Sequence, residues 1–422
     1  MMSDIKHSLF NPKLFQDSGT SGDIYYNSKY GYFRLKKNGN PSDEKWNFPE
    51  TGQSDEAWEF ITKRAGTITD PKKWYDTGVK GEYYYSYENN YFYILKENGN
   101  PKNNNWDFPS ENIDNDHWVN KGTFSNMNWL SFIPDNTPIN QISLPGTHDS
   151  ATGLYEESWI LTGLVKTQSF DILPQLRDGI RFLDCRCRHI NNSFAMHHGA
   201  VYLDMMFGDV LKQCKQFLKE NPSEFIIMSV KPEHTEESCT RSFGETFKQS
   251  YYDPDLWFTE DRFPELNDVR GKMVLFNRFD RDMGIITHWQ DDTTFDIWGK
   301  IHVQDHYSQR DLDDKFDVIK EAVSFSVSKS NQGWMTLNFT SVAANPMGFW
   351  NIDDYAEHHN ARLVDYLSGM DNNNDTSVGI IISDFYHFSS LYDHVIKYNF
   401  NNLNSGFKAE PSLADLPKKQ KN

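Results

Sequence analysis

One stretch does most to decide the fold of this chain, and it reads Ser143-Leu144-Pro145-Gly146-Thr147-His148-Asp149-Ser150. It is a short apolar run that ends in a turn carrying a histidine, as a buried strand ends. Seven further apolar runs give eight candidate strands in all, at residues 141–144, 180–185, 193–196, 224–230, 272–276, 300–303, 334–338 and 378–383.

Amphipathic stretches separate several of these runs. Residues 204–221 have apolar side chains at helical spacing, and Asn221-Pro222 supplies a stop signal. Residues 311–326 and 353–368 have the same character. Strands that alternate with helices predict an α/β protein with a (β/α)8 barrel, whose typical size is ~250 residues. Because the link between residues 278 and 300 is short of helix, we expect the barrel to be distorted.

Chemically active side chains follow the apolar runs at their C-terminal ends. They are His148, Arg186, His198, Lys231, Arg278, Asp305, Tyr307 and Asp384. Barrel enzymes build their sites at that face of the sheet, so we expect these residues to converge. Alternation along a strand places Asp184 and Arg186 on one face. Two histidines and an arginine suit phosphodiester cleavage, because they supply a base, an acid and a cation for the anionic transition state.

Structural alternatives exist for these residues. His148 alone is compatible with a hydrogen-bonded turn histidine, and Asp184 with Arg186 is compatible with a buried ion pair. The cysteines show no paired zinc-type spacing and are interpreted as structural thiols. They are Cys185, Cys187, Cys214 and Cys239.

The charge of the chain limits its partners. It has 422 residues, with 42 Lys and Arg against 60 Asp and Glu, for a formal net charge of −18. Nucleic acid is not expected as a partner, because phosphate binding requires a basic surface. Adhesion to an anionic bilayer through clustered Lys and Arg is not expected either, so any lipid contact would use apolar and aromatic side chains. No apolar run approaches the ~20 residues of a membrane span.

The N-terminal third contains an internal duplication. Residues 11–26 align with 70–85, and Asn-Gly-Asn-Pro followed by Trp, Phe-Pro and Trp occurs in both copies. Each copy is predicted to form Tyr- and Phe-rich strands closed by an Asn-Gly turn, in a small mainly β domain. Two interpretations of the aromatic residues stay open: the core of a small unit, or a flat platform for a sugar ring or a membrane interface.

The predicted domains follow from these changes in pattern. The two aromatic repeats span residues 11–69 and 70–124, the catalytic barrel spans 128–403, and a polar tail predicted to be disordered spans 404–422.

Over about residues 128–400, the chain resembles the bacterial phosphatidylinositol-specific phospholipases C of the X-domain family. The motifs occur in order as Leu-Pro-Gly-Thr-His-Asp-Ser at 144–150, Gly-Ile-Arg-Phe-Leu-Asp-Cys-Arg at 179–186, His-His-Gly-Ala-Val-Tyr-Leu at 197–203, Phe-Leu-Lys-Glu-Asn-Pro-Ser-Glu-Phe-Ile-Ile-Met-Ser-Val-Lys at 217–231 and Ile-Ile-Ile-Ser-Asp-Phe at 380–385. The family fold is a distorted (β/α)8 barrel. The N-terminal repeats loosely resemble chitinase-type carbohydrate-binding modules, which implies a glycan ligand.

The resemblance implies a catalytic role for five residues. His148 would be the general base, oriented by Asp384, and would take the proton of the inositol 2-hydroxyl, which attacks phosphorus. His198 would be the general acid for the diacylglycerol oxygen, with Asp149 as its carboxylate partner. Arg186 would bind the phosphoryl oxygens.

The resemblance also implies a supporting role for Asp184, which would hold the arginine, and a set of inositol-binding positions at Lys231, Arg278, Asp305 and Tyr307. The products would be diacylglycerol and inositol 1,2-cyclic phosphate, which is hydrolysed more slowly to inositol 1-phosphate. The substrate would be phosphatidylinositol or a glycosyl-phosphatidylinositol lipid at a membrane surface. No cofactor and no metal are implied, because Arg186 is expected to take the place of a cation.

Two other classes of function stay open. One is a metal-dependent phosphodiesterase of a related barrel family, and the other is a catalytically weak surface- or carbohydrate-binding protein. We expect a monomeric, peripheral enzyme that is secreted or faces a host membrane. Residues 1–7 show no apolar signal core, so the export route is not visible and a cytoplasmic location stays open.

Overall fold

The computed structural model of the chain describes residues 13, 15–27, 31–50, 53–62, 66, 71–74, 76–86, 89, 91–109, 113–156, 159–280, 282–344, 350–370 and 376–400. The chain divides into two compact units, with the boundary between Phe124 and Ser125. The polar tail predicted at 404–422 lies outside the described residues.

The N-terminal unit contains two three-stranded antiparallel sheets of the same design. The first sheet consists of β1 (Ile24–Asn27), β2 (Gly31–Leu35) and β3 (Trp58–Thr62). The second consists of β4 (Tyr83–Ser86), β5 (Tyr91–Leu95) and β6 (Trp118–Gly122), with the short helix α1 (Pro101–Asn104) between β5 and β6. The registers match, because Leu35 lies opposite Trp58 and Leu95 lies opposite Trp118.

Each of these sheets has an aromatic core. The buried rings are Tyr25, Phe33 and Trp58 in the first sheet and Tyr84, Tyr93 and Trp118 in the second. The indole N–H of Trp58 donates to the carbonyl of Trp46 at 2.9 Å, and that of Trp118 donates to the carbonyl of Trp106 at 3.2 Å. These rings therefore serve as the core, whereas the side chains of Trp46 and Trp106 are only half-buried.

The second unit is built on one large sheet. Its strands are β7 (Leu144–Thr147), β8 (Phe182–Ile190), β9 (Ser193–His198), β10 (Val201–Met206), β11 (Ile226–Pro232), β12 (Trp257–Phe258), β13 (Met273–Asn277), β14 (Ile285–Ile286), β15 (Thr294–Ile297), β16 (Ile301–Gln304), β17 (Met335–Phe339) and β18 (Ile380–Ser383). Its helices are α2 (Trp159–Val165), α3 (Ile172–Arg177), α4 (Phe207–Glu220), α5 (Phe243–Ser250), α6 (Leu266–Val269), α7 (Leu312–Lys329), α8 (Ile352–Ser368) and α9 (Leu391–Tyr398).

The strand order defines a curled parallel sheet. Hydrogen bonds connect the strands in the order β12-β13-β11-β8-β7-β18-β17-β16-β15, and β14 pairs with the far edge of β13. The last strand of this order, β15, pairs antiparallel with β16, and within the described residues no ladder joins it to β12 or β14, so the barrel is open there. The predicted fold class, an α/β distorted (β/α)8 barrel preceded by a small mainly β domain, is confirmed.

One predicted barrel strand is wrong. Residues 193–196 belong to β9, which pairs antiparallel with both β8 and β10 in a hairpin beside the parallel sheet. The parallel strands that no apolar run predicted are β12 and β14, each of only two residues. An apolar run predicts a strand but not its direction, and a two-residue strand leaves no periodic signal.

The parallel strands are buried on both faces, as a sheet covered by helices requires. Every residue of β13, β17 and β18 is buried. The predicted helix over 204–221 is observed as α4, and its apolar face, with Cys214, lies in the core. Cys185 and Cys187 are buried free thiols. Among the described residues no helix has the length and apolarity to cross a bilayer.

A buried ion pair closes the N-terminal end of the sheet. Nη2 of Arg181 lies 2.7 Å from the Glu224 carboxylate, and both side chains are fully buried. The same guanidinium donates to the carbonyls of Asn126 and Met127, at 3.0 and 3.1 Å. It thereby fastens the start of this unit to the strands, at the end of the sheet away from the C-terminal ends of the strands.

Candidate active site

The C-terminal ends of the parallel strands surround a cavity of about 480 Å³. Eight residues singled out from the sequence line it: His148, Arg186, His198, Lys231, Arg278, Asp305, Tyr307 and Asp384. The remaining two, Asp149 and Asp184, are fully buried behind Arg186. All ten residues are therefore brought together at one end of the sheet.

His148 and Asp384 are neighbours because they follow paired strands. Thr147 of β7 lies opposite Ser383 of β18, and the His148 backbone N–H donates to the Ser383 carbonyl at 3.1 Å. The next residue, Asp384, places Oδ1 at 2.7 Å from Nδ1 of His148. Burial lowers the pKa of His148 and the Asp384 carboxylate raises it, and the net direction is upward.

Arg186 lies against the other nitrogen of the same imidazole. Its Nη2 donates to Nε2 of His148 at 2.7 Å, and its Nε donates to Asp184 Oδ2 at 2.9 Å. A guanidinium can only donate, so Nε2 is the acceptor and the imidazole proton lies on Nδ1, facing Asp384. This is the tautomer in which Nε2 is able to take a proton from a substrate.

Asp184 holds two arginines at the floor of the cavity. Besides Arg186, its Oδ1 lies 3.5 Å from Nη1 of Arg278. Burial raises the pKa of Asp184, but the two guanidinium groups outweigh burial and hold it well below the usual range. Burial alone would lower the pKa of Arg186, yet Asp184 and Asp149 raise it, so this cation stays charged.

His198 ends β9 and faces His148 across the cavity. The ring centroids are 6.3 Å apart and the ring planes are nearly perpendicular, at 84°. Nδ1 of His198 lies 2.7 Å from the carbonyl oxygen of Val165, which requires an N–H at that position. The other nitrogen, Nε2, is therefore the one available for proton transfer.

The observed arrangement of Asp149 and His198 differs in detail from the pairing that the sequence predicts. Asp149 Oδ2 lies 3.7 Å from Nδ1 of His198, which is beyond hydrogen-bond distance. The hydrogen bond goes instead to the end of α2, a partner that no motif reveals. Burial raises the pKa of Asp149, and the opposing effects of His198 and Arg186 do not cancel that rise.

Arg278 and Asp305 form one wall of the cavity through a tryptophan. The Arg278 guanidinium stacks on Trp289, 3.5 Å from the ring centroid, and the Trp289 indole N–H donates to Asp305 Oδ2 at 3.0 Å. Nε and Nη1 of Arg278 are buried and have no hydrogen-bond partner within the part of the chain that the structure describes. Burial lowers the pKa of Arg278 to about 10.

Lys231 and Tyr307 occupy the remaining walls. Lys231 Nζ lies 2.8 Å from Glu233, whose other oxygen accepts the Gly199 backbone N–H at 3.1 Å. Burial, together with the neighbouring arginines, lowers the pKa of Lys231. The Tyr307 hydroxyl donates to Asp291 at 3.0 Å.

Among the lining residues that sequence reasoning missed, Glu233, Trp289 and Asp291 contact the predicted site residues directly. Glu233 had a signal, because it stands two residues beyond Lys231, at the end of the same strand. Trp289 and Asp291 had none, since they follow the two-residue strand β14. Among the described residues no group of three or more His, Cys, Asp and Glu side chains is arranged to hold a metal ion.

The fold and the site together define a barrel protein in which two histidines and a guanidinium line one cavity at the C-terminal ends of parallel strands. The family described as "Phosphatidylinositol-specific phospholipase C, X domain" matches residues 142–279. A 1-phosphatidylinositol phosphodiesterase of Staphylococcus aureus (strain Newman) is 31% identical over 291 residues, covering 64% of this chain and 91% of that protein. One of Listeria monocytogenes is 26% identical over 305 residues, covering 71% of this chain and 90% of that protein.

Solved structures agree with these matches. The structure of a mutant phosphatidylinositol-specific phospholipase C from S. aureus superposes with a TM-score of 0.61 at 29% identity, covering 65% of this chain and 98% of that one. The L. monocytogenes enzyme shares the fold, with a TM-score of 0.53 at 24% identity over 65% of this chain and 99% of that one. The chain belongs to the phosphatidylinositol-specific phospholipase C X-domain family.

Proposed function

We propose that this chain is a phosphatidylinositol-specific phospholipase C that needs no metal. It cleaves phosphatidylinositol to diacylglycerol and inositol 1,2-cyclic phosphate, and then hydrolyses the cyclic product more slowly to inositol 1-phosphate. The observation that carries the proposal is the row of three groups in which Asp384, His148 and Arg186 are joined by two contacts of 2.7 Å. The names of the curated relatives support it.

In the first step, His148 acts as general base. A phosphoryl oxygen of the substrate replaces Nε2 of His148 as the acceptor for Arg186, which frees Nε2 to take the proton of the inositol 2-hydroxyl. The 2-oxygen then forms a bond to phosphorus. Asp384 accepts the Nδ1 hydrogen bond and stabilises the imidazolium, while Arg186 offers parallel donors to the developing charge.

His198 completes the first step as general acid. Its Nε2 proton passes to the diacylglycerol oxygen as the bond from that oxygen to phosphorus breaks. The Val165 carbonyl holds the ring through Nδ1, and the Asp149 carboxylate lies 3.7 Å from the same nitrogen. In the second step the roles reverse: His198 takes a proton from water, which attacks phosphorus, and His148 returns a proton to the inositol 2-oxygen.

Recognition of the inositol ring is assigned to Lys231, Arg278, Asp305 and Tyr307. Nε and Nη1 of Arg278 are buried and make no hydrogen bond to the described residues, although Nη1 lies 3.5 Å from Asp184. A buried donor without a hydrogen bond is costly. Ring hydroxyls would satisfy these donors, with the Asp305 carboxylate as a neighbouring acceptor. Buried charge of this kind fits a polyol ligand better than an apolar one.

Phosphorus NMR of phosphatidylinositol vesicles, digested in the presence of EDTA, tests the proposal. We expect a cyclic phosphodiester signal first and an inositol 1-phosphate signal later. The variant His148→Ala should abolish both signals. The matched control is His302→Ala, because His302 also pairs with a carboxylate, Asp296, at 2.7 Å but does not line the cavity. Wild-type product release by His148→Ala would contradict the mechanism.

The same experiment separates the other classes of function. Loss of all product in EDTA, with recovery on adding calcium, would support a metal-dependent phosphodiesterase. Absence of product under every condition, with intact folding, would support a surface-binding protein. The location of the enzyme, secreted or facing a host membrane as against cytoplasmic, is tested by fractionating cells that produce it, and the proposed monomer by light scattering.

For the N-terminal unit we propose glycan binding, supported by the half-buried indoles of Trp46 and Trp106 beside a fully buried aromatic core. A flat indole can stack on a sugar ring. The full chain should bind insoluble chitin, and Trp46→Ala with Trp106→Ala should weaken binding without changing phospholipase activity. Equal retention of both proteins on chitin, or of neither, would contradict this assignment.

A further inference from the structure

Gln168 connects the two turns that carry the base and its carboxylate. The residue lies between α2 and α3 and is fully buried. Its Nε2 donates one hydrogen bond to the carbonyl of His148 and one to the carbonyl of Ser383, each at 2.9 Å. Ser383 directly precedes Asp384. The two amide hydrogens thus bind the main chain of both members of the pair.

These bonds begin where the strand ladder ends. The last paired residues of β7 and β18 are Thr147 and Ser383, and the bond from the His148 N–H to the Ser383 carbonyl is the last of the regular backbone bonds between the two segments. The adjacent residue contributes in the same way, because the Thr167 carbonyl accepts the backbone N–H of Phe385 at 2.7 Å. Residues 167–168 therefore hold the backbone where the ladder ends, next to His148 and Asp384.

The two polar atoms of the Gln168 amide differ, because Nε2 donates two hydrogen bonds and Oε1 accepts none from the described residues. That oxygen is buried. A buried acceptor without a partner costs free energy, which offsets part of the stabilisation from the two Nε2 bonds. The Thr167 hydroxyl also donates to the His148 carbonyl, at 3.0 Å, but neither a hydroxyl nor an apolar side chain can donate to both carbonyls at once, as the Gln168 amide does.

We propose that Gln168 is a positioning residue that keeps Nδ1 of His148 on Oδ1 of Asp384, and thereby keeps the proton off Nε2. It touches neither the substrate nor the reacting atoms. The proposal rests on the proposed function, because it assigns a role within the same reaction. By this proposal the general base, His148, depends on a residue that lies twenty positions further along the chain.

The test compares Gln168→Leu with Asn399→Leu in the full chain. Asn399 is a matched control because its amide also binds β7 through the flanking residue Ser143, accepting its N–H at 2.7 Å and donating to its carbonyl at 2.9 Å, but at the opposite end of the strand. We expect Gln168→Leu to lower kcat by about 10- to 100-fold, with KM within about two-fold of wild type. Asn399→Leu should lower thermal stability and leave kcat of the folded protein unchanged.

A spectroscopic measurement distinguishes positioning from a general loss of structure. The Nδ1 proton of His148, bonded to a buried carboxylate, should give a downfield imidazole resonance in wild type and in Asn399→Leu. It should broaden or shift upfield in Gln168→Leu. If Gln168→Leu does not fold, Gln168→Asn keeps the amide with a shorter reach and should show an intermediate kcat and an altered resonance.

An unchanged resonance with wild-type kcat in a folded Gln168 variant would overturn the positioning role. Equal loss of kcat in Asn399→Leu would do so as well. Failure of wild type to form cyclic inositol phosphate would instead refute the proposed function, so the two failures are separable.

Discussion

Replacing Asp384 by Asn gives the sharpest test of the base. The change keeps the size of the side chain and removes a negative charge 2.7 Å from Nδ1 of His148, at a position that is almost fully buried. A hydrogen bond to a charged group contributes about 1.5–3 kcal/mol. Since each ~1.4 kcal/mol is a factor of ten in rate, loss of that bond alone predicts a fall in kcat of about 10- to 150-fold.

A second effect enlarges this fall. The new amide can donate to Nδ1, which moves the imidazole proton to Nε2, the nitrogen that must accept the substrate proton. General base catalysis contributes about 10²–10⁴-fold, and this sets the upper limit. We therefore expect kcat of Asp384→Asn to fall by about 10²–10⁴-fold, with little change in KM.

The pH dependence supplies an independent readout with a definite sign. Asp384 raises the pKa of His148, against the effects of burial and of Arg186. Without that carboxylate the pKa of His148 falls, so the base loses its proton at lower pH. The ascending limb of the kcat profile should therefore move to lower pH in Asp384→Asn.

The assay measures release of water-soluble inositol phosphates from phosphatidylinositol vesicles between pH 4 and 9. Asp296→Asn is the matched control, since Asp296 contacts His302 at the same 2.7 Å outside the cavity. A kcat for Asp384→Asn within a factor of three of wild type, with an unmoved ascending limb, would refute the assignment of His148 as base.

Three further predictions concern other buried charges of the barrel unit. Arg186→Lys should lower kcat by about 10²–10³-fold, because a lysine cannot contact Asp184 and a phosphoryl oxygen with one planar fork, and added calcium should not restore the rate; recovery with calcium would contradict the metal-free mechanism. The depressed pKa of Asp184 contributes stability that is present above its unfolded pKa of about 3.9 and is lost as pH falls toward the lower folded value. Urea unfolding at pH 6, 4 and 3 should show this loss of unfolding free energy in wild type and a weaker loss in Asp184→Asn. The same dependence of unfolding free energy on pH in both proteins would count against it. Arg181→Leu should reduce the free energy of unfolding by about 3–5 kcal/mol, because Glu224 is left as an unpaired buried charge, whereas the double variant with Glu224→Leu should recover part of the loss. No recovery in the urea midpoint of the double variant would argue against that cause.

Much of the site could be predicted because it follows one rule of local geometry. His148, Arg186, Lys231, Arg278 and Asp384 each stand at or just beyond the end of an apolar run. The C-terminal ends of parallel strands lie at one face of a barrel. Position along a strand was therefore sufficient to bring these residues together without knowledge of their partners.

The partners themselves could not be predicted in the same way. His198 donates to a carbonyl of α2 instead of to Asp149, and Arg278 stacks on Trp289, which follows a strand of two residues. The direction of β9 was also missed, since its apolar pattern is the same in a hairpin and in a parallel sheet. In each case the deciding partner lies on another segment of the chain, and no local spacing pattern reveals it.

The amino-acid sequence by itself determined the strand and helix periods, the duplicated aromatic unit and the chemical groups available at the strand ends, because these depend on spacing within a single segment. Only the tertiary structure decided which nitrogen of His148 carries the proton, which carbonyl holds His198, and where Gln168 binds. Those outcomes depend on distances between segments that are brought together by packing, and hydrogen bonds form or fail over a few tenths of an ångström.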